Sequence, residues 1–262
     1  MAVQLAHQRR ELILERLHAE GAVRVSRLSQ TFGVSQMTVR RDIETLAARG
    51  LCFKVHGGAS RFPTHPDHEP AYETKARTNG PAKRAIAQAA AALVSPGQAV
   101  AISGGSTAVL VATQLAPLAA SGQLTIVTNS LPAADRLASA GASRQTILTG
   151  GVCTASQALV GPVTEASVRS MHFDWFFLGV HGMTVEAGLT SPNVQEAATN
   201  QAIMAAAAAT AVVADASKWG LVGLARIAPL DAVNQIYTSS GMPPGAAEAI
   251  RQLTQLTIVK ET

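Results

Sequence analysis

Polar and basic side chains that could read DNA stand close together near the N-terminus. Ser35, Gln36 and Thr38 carry hydroxyl and amide groups that can hydrogen-bond base edges from the first turn of a helix. Arg40 and Arg41 follow, and their guanidinium groups suit phosphate oxygens, although arginine also binds guanine. This segment therefore predicts a recognition helix that enters the major groove.

Two helices joined by a tight turn must position those side chains. Ser26 is predicted to cap the first helix, and Gly33 to end it, because glycine enters the left-handed region without a Cβ penalty. Ser35 is predicted to cap the second helix. The inward face of that helix is predicted from apolar residues spaced three and four apart, which are Val39, Ile43 and Leu46.

A β-hairpin is predicted directly after the second helix. Residues 51–55 alternate enough to form one arm, with Lys54 and His56 near the DNA backbone and with Gly57 and Gly58 completing the DNA-binding segment. Helix, turn, helix and hairpin together are the plan of a winged helix-turn-helix domain.

Charge is distributed unevenly along the 262 residues. Residues 1–61 carry ten Lys and Arg against five Asp and Glu, so this part has a net charge of +5 and the remainder −1 of the total +4. A basic module attached to a nearly neutral domain is typical of a nucleic-acid reader. The alternative is a helical pair that binds a protein and keeps its Arg-Arg pair in solvent. Capping, turn, hairpin and charge together favour DNA.

A second group of candidate residues lies in loops rich in Gly, Ser, Thr and Asn, each at the end of a predicted strand. Glycines let a backbone approach a ligand closely, and a helix N-terminus offers free N–H groups to a phosphate. The loops contribute the candidate ligand-binding residues Ser103, Gly104, Gly105, Ser106, Thr107, Thr128, Asn129, Ser130, Gly150, Gly151, Gly179 and Gly182, and also His181. Small residues also form plain turns, so the prediction depends on several loops meeting at one sheet edge.

Three charged residues farther along could complete that site. Lys218 is a candidate anion partner, and Asp215 and Glu196 are candidate polar contacts to a ligand. For each residue taken alone, a surface charge or a helix cap is an equally good interpretation.

The fold class predicted from the pattern is α/β, with a small N-terminal domain and a larger domain around a mainly parallel sheet. Near-continuous apolar strands alternating with helices indicate such a sheet, and its ligands bind at the carboxyl ends of the strands. We predict a DNA-binding domain at 1–60, a Pro-rich linker at 61–79 and an effector-sensing domain at 80–262. The predicted strands are 99–103, 124–128, 145–148, 175–179, 211–214, 235–237 and 256–259.

Several function classes are disfavoured. The two cysteines, Cys52 and Cys153, lack metal-ligand spacing, and no disulfide framework, zinc site or cofactor is expected. His65 and His68 stand on a Pro-rich loop, where solvated side chains are more common than metal ligands. The N-terminus lacks a signal-peptide pattern, and the alanine run at 205–209 is interpreted as a helix interior, not a membrane span. A cytoplasmic protein is expected.

The pattern Val34-Ser35-x-x-Thr38-Val39-Arg40-Arg41-Asp42-Ile43, followed by Val55-His56-Gly57-Gly58-Ala59, resembles the winged helix-turn-helix signature of the DeoR family of bacterial transcription regulators. The upstream run at 9–14 is similar to the first helix of that family. The run at 23–25 is similar to the short strand that pairs with its wing.

The resemblance continues through the larger domain. The runs at 103–107, 127–130, 149–151, 159–161, 177–179, 188–190 and 215–220 are similar to the family's C-terminal sensor domain and occur in the same order. That resemblance implies a fold like those of ribose-phosphate isomerases and CoA transferases. It also implies binding of a phosphorylated sugar or related metabolite, no enzymatic activity, and assembly into a dimer or tetramer on double-stranded DNA.

Two positions depart from the family pattern. The family usually has Asp where Ser103 stands, and Lys where Asn200 stands, four residues after Glu196. Loss of the lysine removes a point charge that would favour phosphate. The expected effector is therefore less phosphorylated, or is not a sugar phosphate.

Three hypotheses follow. The first is a DNA-binding regulator, most often a repressor in such a family, controlled by a metabolite that binds two conformations with different affinity. The second is a phosphosugar isomerase or transferase with an appended DNA module, using Glu196, Asp215 or His181 as its base or nucleophile. The third is a structural nucleoid protein, which the pocket-forming loops and the modest charge disfavour.

Overall fold

The computed structural model describes residues 6–20, 22–48, 51–55, 57–60 and 72–260. The chain forms two compact units, Met1–His68 and Glu69–Thr262. His56, His65 and His68, together with most of the predicted linker, lie outside the described residues. Within the described ranges, no helix has both the length and the apolar character required to cross a bilayer.

The N-terminal unit combines three helices with a small antiparallel sheet. The elements are α1 (Ala6–Glu20), β1 (Ala22–Arg24), α2 (Val25–Phe32), α3 (Gln36–Ala48), β2 (Phe53–Val55) and β3 (Gly58–Ser60). The strand order is β1-β3-β2, so the strand before the helix pair joins the hairpin that follows it. This arrangement confirms the predicted winged helix-turn-helix fold.

The turn between α2 and α3 forms as predicted, but α2 begins differently. Gly33 ends α2 with φ of 63°, and Val39, Ile43 and Leu46 are buried. The predicted cap at Ser26 is wrong, because α2 follows Arg24 directly and Ser26 lies within the first turn. The cause is the adjacent sheet, in which the Val25 N–H donates to the Gly57 carbonyl at 2.8 Å and sets the chain's entry into the helix.

A buried ion pair joins the first and last helices of this unit. The Arg9 Nε lies 2.5 Å from Asp42 Oδ2, and the two side chains are only 7% and 8% exposed. Arg10 Nε lies 3.8 Å from the other carboxylate oxygen. Since Asp42 follows Arg40 and Arg41 on α3, this pair fixes the recognition helix against α1.

The larger unit is built around a seven-stranded sheet. Its elements are α4 (Tyr72–Arg77), α5 (Gly80–Ala91), β4 (Ala99–Ile102), α6 (Ser106–Ala120), β5 (Thr125–Thr128), α7 (Leu131–Ser139), β6 (Thr146–Leu148), β7 (Val152–Cys153), β8 (Leu159–Val160), α8 (Pro162–Val168), β9 (Phe173–Leu178), β10 (Gly182–Thr184), β11 (Gly188–Ser191), α9 (Val194–Ala205), β12 (Ala207–Val213), β13 (Ala225–Ala228), β14 (Gln235–Ser239), α10 (Pro244–Arg251) and β15 (Gln255–Val259). Short 3₁₀ turns lie at Ser143–Gln145, Ala216–Lys218 and Leu230–Ala232.

The main sheet has the order β15-β14-β12-β9-β4-β5-β6, and every neighbouring pair is parallel. These are the seven strands predicted from the sequence, with shifted ends. Alternate residues of one strand enter opposite cores: Phe177 packs with α5, α6 and α7, whereas Phe176 packs with α8, α9 and α10. The predicted α/β class, with both faces of the sheet covered, is confirmed.

The alanine run at 205–209 is not a helix interior. Helix α9 ends at Ala205, and β12 begins at Ala207. Ala207 pairs with Phe173 and Ala209 with Trp175, so cross-strand pairing overrides the helix propensity of alanine. The strand is consequently longer than predicted.

Three features of the larger unit were not predicted. A three-stranded antiparallel sheet has the order β10-β11-β13, and β7 pairs with β8 as a second antiparallel ribbon. Helix α4 occupies the last part of the segment 61–79 interpreted as a linker. The proposed division at 61 and 79 otherwise stays a prediction.

The buried pair between Arg9 and Asp42 makes a prediction about stability. We expect Asp42→Ala to destabilise the N-terminal unit by about 3 kcal/mol, because it leaves the Arg9 charge buried without this carboxylate. Hydrogen exchange measured by mass spectrometry would show faster exchange in residues 6–48 and unchanged exchange in residues 99–259. Glu44→Ala is the matched control, since Glu44 is an exposed acid on the same helix. Equal protection in both variants would contradict the assignment.

Candidate functional site

Helix α3 presents its polar side chains on the face opposite the core. Gln36, Arg40 and Arg41 are exposed and Thr38 is half-buried, whereas the apolar side of the helix packs inward. This geometry agrees with a helix that can enter the major groove, with amide and hydroxyl groups in its first turn and guanidinium groups one turn later.

Ser35 has a clear local role as a helix cap. Its Oγ accepts a hydrogen bond from the Thr38 N–H at 3.1 Å and lies 2.9 Å from Thr38 Oγ1. The predicted cap is therefore confirmed. The hydroxyls of Ser35 and Thr38 already interact with each other. Their direct contact with bases stays a prediction.

The wing residues divide into exposed and structural positions. Lys54 Nζ donates to Glu44 Oε1 at 2.8 Å, and this hydrogen bond, with the Lys54 charge, lowers the pKa of Glu44. Gly57 is exposed, with φ of 77°. Gly58 is buried, and a Cβ there would lie 2.0 Å from the Val23 carbonyl oxygen, so this glycine allows two strands to approach. Their contacts with DNA stay predictions.

Met37 is a candidate DNA contact that the sequence analysis missed. Its side chain is 58% exposed in the first turn of α3, between Gln36 and Thr38. A methionine is normally read as a core residue. An exposed apolar side chain at this position can contact the methyl group of thymine, which is the apolar feature of the major groove.

A pocket in the larger unit lies at the carboxyl ends of the central strands. The loops after β4, β9 and β12, which are neighbours in the sheet, converge there. The lining comprises Lys75, Gly104, Gly105, Ser106, Thr107, Ser156, Gly179, Val180, His181, Ser191, Glu196, Asn200, Val213, Ala214, Lys218 and Ile227. Eight candidate ligand-binding residues therefore line this pocket, namely Gly104, Gly105, Ser106, Thr107, Gly179, His181, Glu196 and Lys218.

The remaining candidates lie outside this lining. They are Ser103, Thr128, Asn129, Ser130, Gly150, Gly151, Gly182 and Asp215. Two of them, Ser103 and Asn129, hydrogen-bond to loops that line the pocket. Ser103 Oγ accepts from the Gly179 N–H at 2.9 Å, and Asn129 Oδ1 accepts from the Gly104 N–H at 3.1 Å. The first bond joins the loops after β4 and β9, and the second joins the loops after β4 and β5.

Other residues outside the lining have separate structural roles. Thr128 Oγ1 donates to the Ile102 carbonyl, and Ser130 Oγ caps α7 by accepting from the Ala133 N–H. Gly150 accepts through its carbonyl from the Thr164 hydroxyl. Gly182 pairs with Thr190 in the antiparallel sheet. Contact of these residues with an effector stays a prediction.

The loop at 103–107, between β4 and α6, has the form expected of a loop that binds phosphate. Gly105 has φ of 134°, a conformation open to glycine, and stands at the N-cap of α6 without a side-chain cap. The first N–H groups of α6, a helix of fifteen residues, therefore border the pocket beside the Ser106 and Thr107 side chains. Backbone donors and a positive helix end favour an anion here.

Three lysines gather at this end of the pocket. Lys75 and Lys218 line it, and the buried Lys83 donates from Nζ to Ser106 Oγ at 3.0 Å and to the Lys75 carbonyl at 2.5 Å. Burial lowers the pKa of Lys83 to about 8; Asp215 opposes this shift, and the Lys218 and Lys75 charges add to it. Positive charge on and beside the lining favours a negatively charged ligand over a neutral one.

Asp215 is a buried carboxylate behind the pocket. It is 2% exposed, and its Oδ1 accepts from Asn79 Nδ2 at 2.9 Å and from the Ser217 N–H at 3.1 Å. Burial works to raise the pKa of Asp215, but the Lys218 charge, the Ser217 hydrogen bond and Lys83 together hold it below its usual value. Asp215 therefore stays ionised and balances part of the lysine charge.

The opposite side of the pocket is formed by helix α9. Asn193 caps this helix by accepting from the N–H groups of Gln195 and Glu196. Glu196 Oε1 accepts from Thr154 Oγ1 at 2.6 Å, and Asn200 lies one turn later and also lines the pocket. A ligand here could contact the hydrogen-bonding groups of α9 as well as the lining lysines.

Sequence reasoning also missed Lys75 and Ser156, which line the pocket, and Lys83, which donates to the lining residue Ser106. Lysines on helices usually extend into solvent, and Lys75 falls in a segment interpreted as a linker. The available signal was the position of Lys83 beside inward-facing Ala82, Ile86 and Ala87 on α5. Within the described residues, no group of three or more His, Cys, Asp or Glu side chains is placed to hold a metal ion.

Comparison with known families identifies both units. The family described as DeoR-like helix-turn-helix domain matches residues 9–64, and the DeoR C terminal sensor domain matches residues 78–240. The chain belongs to the DeoR family. The predicted resemblance is thus confirmed over both the DNA-binding unit and the pocket-bearing unit.

Curated relatives match along nearly the whole chain. A putative aga operon transcriptional repressor from Escherichia coli O157:H7 is 32% identical over 94% of this chain and 90% of its own length. The uncharacterized HTH-type transcriptional regulator YgbI from Escherichia coli K12 is 33% identical over 97% and 98%. The HTH-type transcriptional regulator GlpR from Haloferax volcanii is 34% identical over 94% of each chain.

A solved ribose 5-phosphate isomerase from Methanocaldococcus jannaschii aligns with 54% of this chain and 55% of its own. The TM-score is 0.41 and the sequence identity 16%. At that level the likeness says nothing about activity.

Burial of Lys83 predicts a specific pH dependence of stability. Its folded pKa of about 8 lies below the ordinary value of 10.5, so the unfolded state binds more protons between these values and stability rises with pH in that window. We expect the free energy of unfolding, relative to Lys83→Met, to rise from pH 8 to pH 10 by up to about 3 kcal/mol. Urea unfolding of both proteins followed by tryptophan fluorescence measures this difference, and a pH-independent difference would refute the assignment.

Proposed function

We propose that this DeoR-family protein is a repressor of an operon for carbohydrate or related metabolism, controlled by an anionic metabolite of the sugar-phosphate class. The observation that carries the proposal is a recognition helix with exposed Arg40 and Arg41 on the same chain as a lysine-lined pocket. The names of relatives agree: they include the aga operon repressor and the lactose phosphotransferase system repressor of Streptococcus mutans.

Each part of the DNA-binding surface has a distinct proposed task. Arg40 and Arg41 bind backbone phosphates and supply most of the affinity, which makes binding sensitive to salt. Gln36 and Met37 contact base edges, the first through its amide and the second through a thymine methyl group. Ser35 keeps the first turn of α3 in place.

The proposed effector carries at least one negative charge. Asn200 lacks the lysine charge usual for the family, but Lys75 brings a second ammonium group to the pocket that Lys218 lines, and the buried Lys83 donates to the lining residue Ser106. Glu196 and Asn200 offer hydrogen-bonding groups to hydroxyls. A phosphorylated sugar matches both sets of groups, because its phosphate suits the lysines and its hydroxyls suit the amide and carboxylate.

Binding without turnover is part of the proposal. A phosphosugar isomerase requires a base positioned in the pocket. Ser103 stands where an acid is usual, and its hydroxyl is engaged with the Gly179 N–H behind the pocket. Of the three candidate bases, Asp215 lies outside the lining, whereas His181 and Glu196 line the pocket and the Glu196 carboxylate accepts from Thr154.

Assembly and location complete the proposal. A dimer or tetramer on repeated or palindromic sites would place two recognition helices on one face of the duplex. A regulator of this kind acts where the chromosome lies, in the cytoplasm. Size-exclusion chromatography with light scattering, with and without the DNA site, tests the assembly.

The first functional prediction concerns DNA. We expect the wild-type protein to bind the upstream region of its own gene, and Arg40→Ala/Arg41→Ala to lose at least tenfold in affinity. The slope of log K against log salt should decrease in magnitude by about 2, since two phosphate contacts are removed. Fluorescence anisotropy at several salt concentrations measures both quantities.

The matched control for that experiment removes equal charge from the other unit. Arg144→Ala/Arg251→Ala changes two exposed arginines of the larger unit and should leave DNA binding unchanged. Equal losses in both double variants would show a nonspecific charge effect. Failure of the wild-type protein to prefer its upstream DNA over random sequence would refute the proposal that it is a DNA-binding regulator.

The second functional prediction concerns the effector. We expect glucose 6-phosphate or another sugar phosphate to bind at least tenfold more tightly than the corresponding free sugar, and Lys218→Gln to weaken that binding about tenfold or more. Isothermal titration calorimetry provides both values, with Arg144→Gln as the control. Product analysis of the same mixtures should show no conversion; conversion above a protein-free blank would support the enzyme hypothesis instead.

A further inference from the structure

Helix α4 joins the effector pocket to the chain segment that comes from the DNA-binding unit. It is the first described element of the larger unit and follows residues 61–71 in sequence. Six residues are too few for a helix that is stable alone, so its position depends on contacts with the rest of the unit.

Tyr72 packs on the core formed with α5 and α6, and hydrogen bonds from the turn between β7 and β8 hold α4 as well. The Tyr72 N–H donates to the Ala155 carbonyl at 3.4 Å, Gln157 Nε2 donates to Glu73 Oε1 at 2.5 Å, and Lys75 Nζ donates to Ser156 Oγ at 2.9 Å. Three successive residues of one turn thus hold three positions of α4.

The same turn and the same helix border the pocket. Lys75 and Ser156 both line it, and Thr154, at the start of the turn, donates to Glu196 on the opposite side. The Lys75 carbonyl also accepts from Lys83 Nζ, which in turn reaches Ser106 at the head of α6. The hydrogen bonds that fix α4 are therefore bonds made by groups at the ligand's position.

The charges favour a change on binding. Lys75, Lys83 and Lys218 repel one another, and this repulsion contributes to the lowered pKa of Lys83. An oxyanion in the pocket attracts the ammonium groups of Lys75 and Lys218, which line it, and competes with Ser156 Oγ for Lys75. That exchange removes a bond that holds α4.

We propose that Lys75 binds the anionic group of the effector, and that the resulting shift of α4 transmits pocket occupancy to the segment leading to the DNA-binding unit. The proposal rests on the proposed function and adds to it the residue and the element that couple the two activities. The ligand chemistry is an oxyanion on a small polyol, either a phosphate ester or a carboxylate. The coupling exists only if the ligand's affinity differs between the two positions of α4.

Three variants separate binding of the ligand from transmission of pocket occupancy to the DNA-binding unit. Lys75→Gln removes the ammonium group, Glu73→Ala removes the anchor to Gln157 but keeps Lys75, and Arg77→Gln removes an exposed charge from the same helix as the control. Glucose 6-phosphate, gluconate, inorganic phosphate and glucose are the probes. Calorimetry measures affinity, and circular dichroism verifies that each variant is folded.

Hydrogen exchange of residues 72–79, measured with and without saturating probe, reads α4 directly and does not depend on DNA. We expect a charged probe to change exchange in the wild type and in Arg77→Gln. Lys75→Gln should bind about tenfold to a hundredfold more weakly and show little change in exchange at equal occupancy. Glu73→Ala should bind with wild-type affinity but with α4 exchanging rapidly in both states.

DNA binding then tests the transmission. The ratio of DNA affinities without and with saturating probe should be lower in Lys75→Gln and Glu73→Ala than in the wild type.

A wild-type ratio in both variants overturns the role of α4, and wild-type probe affinity in Lys75→Gln overturns the role of Lys75. If the wild type binds a charged probe but no specific DNA, the proposed function fails while the exchange measurement still decides the role of Lys75. Equal affinity for glucose and the charged probes also overturns the inference.

Discussion

Parallel pairing of β4 with β9, and of β9 with β12, is the constraint on which the sensor site depends. It brings three carboxyl-terminal strand ends together, although the first, at Ile102, and the last, at Val213, are more than a hundred residues apart in sequence. Each end then continues into a different polar segment: Gly104 and Gly105, then Gly179 and His181, then Lys218. The Ser103 hydroxyl and the Asn129 amide fix these loops to their neighbours, so the pocket is a consequence of strand order reinforced by a few buried hydrogen bonds.

The strands of that sheet could be predicted because burial on both faces leaves near-continuous apolar runs. The ends of the elements could not, since they are decided by partners distant in sequence. Ala207 and Ala209 belong to a strand because Phe173 and Trp175 pair with them, and the helix propensity of alanine is too small to compete. Likewise Ser26, a good capping residue by type, lies inside α2 because the sheet starts the helix at Val25.

Only part of the candidate site could be predicted from the sequence, again because some of its residues are positioned by partners distant in sequence. Glycines and hydroxyl residues after strands mark a ligand loop through their own chemistry, and Gly104 to Thr107 line the pocket. The local sequence does not identify Lys75 and Lys83 as site residues, because a lysine on a helix has the same local pattern whether it is solvated or buried. Only the packing of α5 against α6, together with the contact between α4 and the turn at 155–157, places Lys83 and Lys75 beside Lys218.

The lysine cluster offers a physical basis for the proposed coupling between the pocket and DNA binding. Gathering three ammonium groups beside one buried carboxylate, Asp215, costs free energy in the empty protein, and burial of Lys83 adds to that cost. An anion offsets the cost, so its binding energy includes relief of a strain that the fold already holds. One of the three lysines, Lys75, belongs to α4, a six-residue helix that is too short to be stable alone, so that relief acts on a helix whose position depends on its contacts. In the proposed coupling, the group that binds the anion and the helix that responds to it are thus joined at one residue, Lys75.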